Sequence, residues 1–116
     1  MCDRRTLDKI TDRIVSAVQI IFESSLKNVI LYGSYARGDF DAESDIDIMI
    51  IVDIDSTELS KYRSEISRIA SRLSLETEEC TTISLALQDR KTFERYKNVL
   101  PYYSNVLNEG VMLYAA

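Results

Sequence analysis

Apolar residues recur at helical spacing at Leu7, Ile10, Ile14, Ala17, Val18 and Ile21, which predicts an amphipathic opening helix. Lys27 and Asn28 then lead into Val29-Ile30-Leu31-Tyr32, a short β-rich run that stops at Gly33. Ser44-Asp45-Ile46-Asp47-Ile48 alternates strictly and passes into Met49-Ile50-Ile51-Val52, apolar on both faces. That pattern describes a strand that leaves a solvent-facing edge and enters the core. Asp55 or Ser56 is placed to cap a helix whose apolar face is Leu59, Tyr62, Ile66, Ile69, Ala70 and Leu73. Thr81 to Leu87 predicts a third strand, Asp89 caps a short helix carrying Phe93 and Tyr96, and Pro101 suits the first turn of another. That last helix ends near Gly110, before an apolar stretch from Val111 to Tyr114. The order predicts an α/β, or α+β two-layer, domain: a small mixed sheet of three to four strands flanked by helices.

At 116 residues, with no internal repeat, low-complexity tract or linker, the chain reads as one domain, 1–116. A domain of this size buries roughly two-thirds of its unfolded surface, so it needs no disulfide or structural metal. The 19 acids against 14 bases, net charge −5, argue against a broad electrostatic grip on nucleic acid, though not against a nucleotide carried with its metal ion. The absence of histidine excludes a His-based triad and His-ligated zinc, so any metal is a hard one held by oxygen. Cys2 and Cys80 form no metal-binding spacing, and no apolar run has the length of a membrane span. With no signal-peptide core at the N-terminus, the expectation is a soluble, cytoplasmic protein.

Eight acids, Asp39, Asp41, Glu43, Asp45, Asp47, Asp53, Asp55 and Glu58, fall between residues 39 and 58 with no base among them. Asp39, Asp41 and Glu43 read as a solvated loop; Asp53, Asp55 and Glu58 read as strand-end and helix-start acids. Asp45 and Asp47 differ. Two positions apart on a strand, they leave the same face with Cα atoms about 7 Å apart. Their charges repel by about 2 kcal/mol at an effective dielectric of about 20. A divalent cation turns that repulsion into attraction, and a pair of metals about 4 Å apart suits phosphoryl chemistry. The competing reading is a polar strand edge facing water.

The preceding segment bears on that choice. Gly33 lets a ligand approach the backbone, Ser34 offers a hydroxyl, and Tyr35-Ala36-Arg37-Gly38 makes one helical turn with amides suited to phosphate. Arg37 supplies either a phosphate contact or an ion pair with the acidic loop. Walker-type and dinucleotide glycine motifs are missing, and an EF-hand starting at Asp39 fails because Ser44 and Ile50 stand where Gly and Glu are needed.

Gly33-Ser34-Tyr35-Ala36-Arg37-Gly38 followed by Ser44-Asp45-Ile46-Asp47-Ile48 resembles the signature of the DNA polymerase beta-like nucleotidyltransferase superfamily. The small size and the tail (Phe93, Tyr96, Tyr102-Tyr103, Glu109-Gly110-Val111) are similar to its minimal nucleotidyltransferases, some of which are antitoxins paired with HEPN-domain toxins. The resemblance implies transfer of AMP from ATP to a hydroxyl of a partner protein. It places Gly33, Ser34, Arg37 and Ser44 in nucleotide binding and gives Asp45 and Asp47 the catalytic role of holding two Mg²⁺ ions. The implied partner is a HEPN-type helical protein, and a partner chain or a second copy would supply the second wall of the site. One departure stands out. Counting back from Phe93 puts the family's third carboxylate position at Ser84; Glu76, Glu78, Glu79 and Asp89 lie nearby in sequence but do not match it. Such a protein would be a nucleotide-binding antitoxin of weakened chemistry that neutralises its partner by complex formation. Tyr62, Tyr96, Tyr102 and Tyr103, at helical spacing, read as packing aromatics.

Overall fold

In a computed structural model, which describes residues 3–41, 43–76 and 82–116, Asp3 caps the first helix by accepting from the Thr6 amide. That helix, α1 (Arg4–Phe22), ends at a short 3₁₀ turn, and β1 (Leu26–Tyr32) follows. β1 starts three residues before the apolar run that announced it. A register shift between Leu26 and Asn28 lets Leu26 and Val29 both face the same core despite their odd spacing. A single helical turn, α2 (Ser34–Arg37), and an acidic loop then lead to β2 (Ile46–Val52). Asp55 caps a 3₁₀ turn, Ser56–Glu58, rather than the helix itself, and α3 (Ser60–Glu76) follows.

The third strand, β3, spans Ile83–Asp89. Thr81, like Cys2 and Cys80, lies outside the described residues. Asp89 caps α4 (Arg90–Tyr96) through the Thr92 amide, as its position before Phe93 foretold. Pro101 opens α5 (Pro101–Glu109), and β4 (Val111–Ala115) closes the chain's described part. A Cβ on Gly110 would collide with the Val106 carbonyl oxygen and lie 2.5 Å from Ile30 Cγ2. Only glycine therefore lets α5 turn so tightly onto the sheet.

The sheet order is β3-β2-β1-β4, with β2 parallel to β3 and the other pairs antiparallel. The expected small mixed sheet thus has four strands. Strand alternation divides the core between its faces. Ile46, Ile48, Ile50 and Val52 of β2 pack with Leu7, Ile10, Ile14 and Val18 of α1 and Ile66 and Leu73 of α3. Met49 and Ile51 point the other way, with Ile30, Phe93 of α4 and Val106 of α5. The second cluster is the smaller and covers only the C-terminal part of β2, which leaves the strand's N-terminal end uncovered on that face.

Candidate active site

The uncovered end of β2 is where the predicted residues gather. Tyr32 stands opposite Asp47 in the antiparallel ladder, and Asp47 stands opposite Ser84 in the parallel one. Alternation puts all three side chains on the α4–α5 face, in a row across three strands. Directly after Tyr32 the chain turns at Gly33, with φ 76° and ψ −157°, a region open essentially to glycine alone. A Cβ there would lie 2.6 Å from Asp47 Oδ2. The missing side chain therefore makes room for the carboxylate, and Asp47 rests on the glycine–serine corner.

Gly33 also anchors α2, whose Ala36 and Arg37 amides donate to its carbonyl; Gly38, left-handed at φ 86°, closes the turn with its amide on the Ser34 carbonyl. Burial is the main reason the Asp47 carboxyl holds its proton more tightly than an ordinary aspartate, and the charge of Asp45 adds to it. Arg37 acts in the opposite sense. Asp45 itself is exposed, one residue ahead of β2. The pair is thus a half-buried acid strained by its neighbour's like charge.

Among the described residues, no group of three or more acidic or cysteine side chains is placed to hold a metal. Ser84, exposed beside Asp47, has a hydroxyl where a carboxylate would complete such a group. Asp89 does not substitute: it lies at the far end of β3, 5% exposed, and accepts from Gln88 Nε2 and the Thr92 amide. Glu76 pairs with Arg13, and Glu78 and Glu79 lie outside the described residues. Magnesium commonly uses one or two protein carboxylates and takes its other ligands from phosphate and water. The Asp45–Asp47 set fits a magnesium ion that arrives with a phosphate and would make a poor cage without one.

Arg37 takes the ion-pair role in this state. Its guanidinium donates to Asp39 Oδ2 at 3.1 Å and to Glu109 Oε2 at 3.2 Å, which strengthens its basicity. Ser44 braces the acidic loop: its hydroxyl accepts from the Asp41 amide and donates to the Asp41 carboxylate. The loop acids are exposed as expected, but Asp39 and Asp41 also hold the turn together.

A cleft of about 220 Å³ opens between the corner and α5, lined by Tyr32, Gly33, Arg37, Tyr102, Asn105, Val106 and Glu109. Tyr32 and Tyr102 meet there with hydroxyls 2.9 Å apart and rings edge to face. Burial, the bond to Tyr102 and the nearby charge of Asp47 push the Tyr32 phenol well above its usual range. Of the four tyrosines expected to pack, Tyr62 does so on Phe22 and Tyr103 on Phe93. Tyr102 instead faces the cleft, 48% exposed. The tail motif Tyr102-Tyr103…Glu109-Gly110 was the available signal for this wall, but its spacing does not distinguish a helix face in a cleft from one in a core.

Residues 11–111 match the family of nucleotidyltransferase domains. The chain is 32% identical over 107 residues to the provisionally named protein adenylyltransferase MJ0604 of Methanocaldococcus jannaschii, covering 92% of this chain and 97% of that protein. A second provisionally named protein adenylyltransferase of the same organism, MJ0141, is 48% identical over 58 residues, 50% of this chain and 57% of its own. Among solved structures, a provisionally assigned nucleotidyltransferase from Sulfolobus solfataricus superposes with a TM-score of 0.62 at 21% identity, over 98% of this chain and 90% of that one. A toxin–antitoxin structure with AMP-PNP superposes at 0.53 and 17% identity, over 90% and 73% of the respective chains. These two likenesses establish the shared fold.

Proposed function

This chain belongs to the nucleotidyltransferase domain family, and from that premise we propose that it transfers AMP from ATP to a hydroxyl of a partner protein. The observation that carries the reading is the seat of Asp47 on the Gly33 corner, with Asp45 next to it. The triphosphate would lie along the Gly33-Ser34 corner beside Asp47, with the Ser34 hydroxyl as a donor to its oxygens. Asp45 and Asp47 would hold two magnesium ions, whose charge activates the attacking hydroxyl and steadies the departing pyrophosphate. Arg37 exchanges one carboxylate partner for a phosphate oxygen, and Ser44 keeps the acidic loop clear of the nucleotide. Likeness to a toxin–antitoxin pair supports a helical, HEPN-type toxin as the partner, working with residues 1–116 as one antitoxin domain in the cytoplasm. The partner, or a second copy of this chain, supplies the wall the acceptor rests on. Calorimetry of ATP with Mg²⁺ tests the assignment: wild type binds, and the Asp45→Asn/Asp47→Asn double variant loses most of the heat. Equal binding by both would remove the metal role.

One observation favours a second reading. Ser84 puts an uncharged hydroxyl beside Asp47 where a base is wanted, so the chain neutralises its partner by forming a complex and its chemistry is weakened. On this reading the double variant still neutralises, and Ser84→Asp raises transfer. Loss of neutralisation in the double variant, together with AMP labelling of the partner by wild type, would reject it.

A further inference from the structure

The cleft beside the Gly33 corner contains a hydroxyl of the protein's own. Among the described residues that line it, Tyr32 and Tyr102 alone carry one, and they differ. Tyr32 is half-buried, its ring edge-on to that of Tyr102. Tyr102 is 48% exposed and reaches into the same cleft from the first turn of α5, its Oη 2.9 Å from that of Tyr32. The helix that carries it is held on the sheet. Val106 is buried one turn on, and the adjacent Tyr103 donates to Gln88 Oε1 at 2.9 Å while packing edge-on against Phe93. Tyr102 is therefore fixed on the face that carries Asp47 and Ser84, next to the glycine corner.

Resting on the nucleotidyl-transfer reading above, we propose that Tyr102 is an acceptor in its own right, so that the chain transfers a nucleotidyl group to itself. Tyr102 Oη forms a bond to the α-phosphorus of a nucleoside triphosphate. The bond from that phosphorus to the bridging oxygen breaks, its electron pair leaves with pyrophosphate, and the phenolic proton passes to water on the open side. Tyr32, whose hydroxyl lies 2.9 Å from it, donates to Tyr102 Oη and stabilises the oxygen as it loses its proton. The product is an O-nucleotidyl tyrosine that fills the cleft and stops further turnover.

The experiment is intact-mass and peptide-mapping mass spectrometry of the full chain after incubation with Mg²⁺ and each of the four ribonucleoside triphosphates. The expected result is one nucleotidyl adduct per chain on Tyr102, lost in Tyr102→Phe and in Asp47→Asn. Its rate should not depend on protein concentration, and wild type should not label an Asp47→Asn chain in the same tube. An unmodified wild type that still binds ATP with Mg²⁺ by calorimetry overturns this inference and leaves the broader reading standing. Mapping of the adduct to another residue, or labelling of the Asp47→Asn chain by wild type, overturns it as well. Failure to bind ATP at all removes both.

Discussion

The two ends of the β2–β3 ladder each carry an aspartate, and they use it in opposite ways. At the C-terminal end Asp89, paired in register with Val52, is almost wholly buried and spends its oxygens on the Gln88 amide and the Thr92 amide. At the other end Asp47, paired with Ser84, is half-buried and faces a like charge, and its carboxylate receives no hydrogen bond from the described residues. Full burial with satisfied oxygens is structural economy. Partial burial without them, beside a second acid, raises the energy of the charged form and is the condition under which a ligand of opposite sign gains most. The same residue type on one ladder is thus a fastener at one end and, at the other, the group we propose for binding.

Removing the fastener should have the largest effect. Asp89→Ala deletes a helix cap and strands the Thr92 and Gln88 donors, so a loss of about 3 kcal/mol is expected in urea unfolding. Bound ATP should not rescue it selectively. Gly33→Ala comes next: a methyl group in glycine-only backbone space, against Asp47 Oδ2, should cost about 2 kcal/mol and abolish ATP binding in calorimetry. Asp47→Asn goes the other way. The folded state binds the Asp47 proton more tightly than the unfolded chain does, so this carboxylate lowers stability at neutral pH. That penalty is relieved as pH falls from neutral through its raised folded pKa towards the ordinary value of 3.8. The variant should therefore melt higher than wild type at neutral pH without metal. The gap should narrow on acidification and reverse when Mg²⁺ and ATP are added. Glu109→Gln should be the mildest. Its pair with Arg37 is exposed on both sides, so the urea midpoint should stay essentially unchanged. Freeing Arg37 should nonetheless tighten ATP binding, and unchanged affinity would show that the pair does not compete with phosphate.

Much of this was readable along the chain. Hydrophobic periodicity placed α1, β2 and α3, and local end signals at Asp89 and Pro101 placed both C-terminal helices, because such signals act within a few residues. Gly33 was expected to permit a close approach to the backbone, and the group that approaches proved to be the Asp47 side chain. The start of β1 was hidden by a register shift, which breaks the alternation that a pattern relies on. Arg37 and Glu109 meet across 72 residues of chain, and Tyr32 and Tyr102 across 70. Contacts of that separation come from sheet order and helix docking, which no local spacing encodes.

The placement of the two signature aspartates at the rim of β2, ahead of the wholly enclosed stretch Met49–Val52, has an evolutionary consequence. Drift at positions 45 and 47 to side chains no larger than aspartate removes repulsion and leaves the enclosed stretch untouched, so the carboxylates can be lost while the scaffold survives intact. Loss of both carboxylates then needs no intermediate that fails to fold.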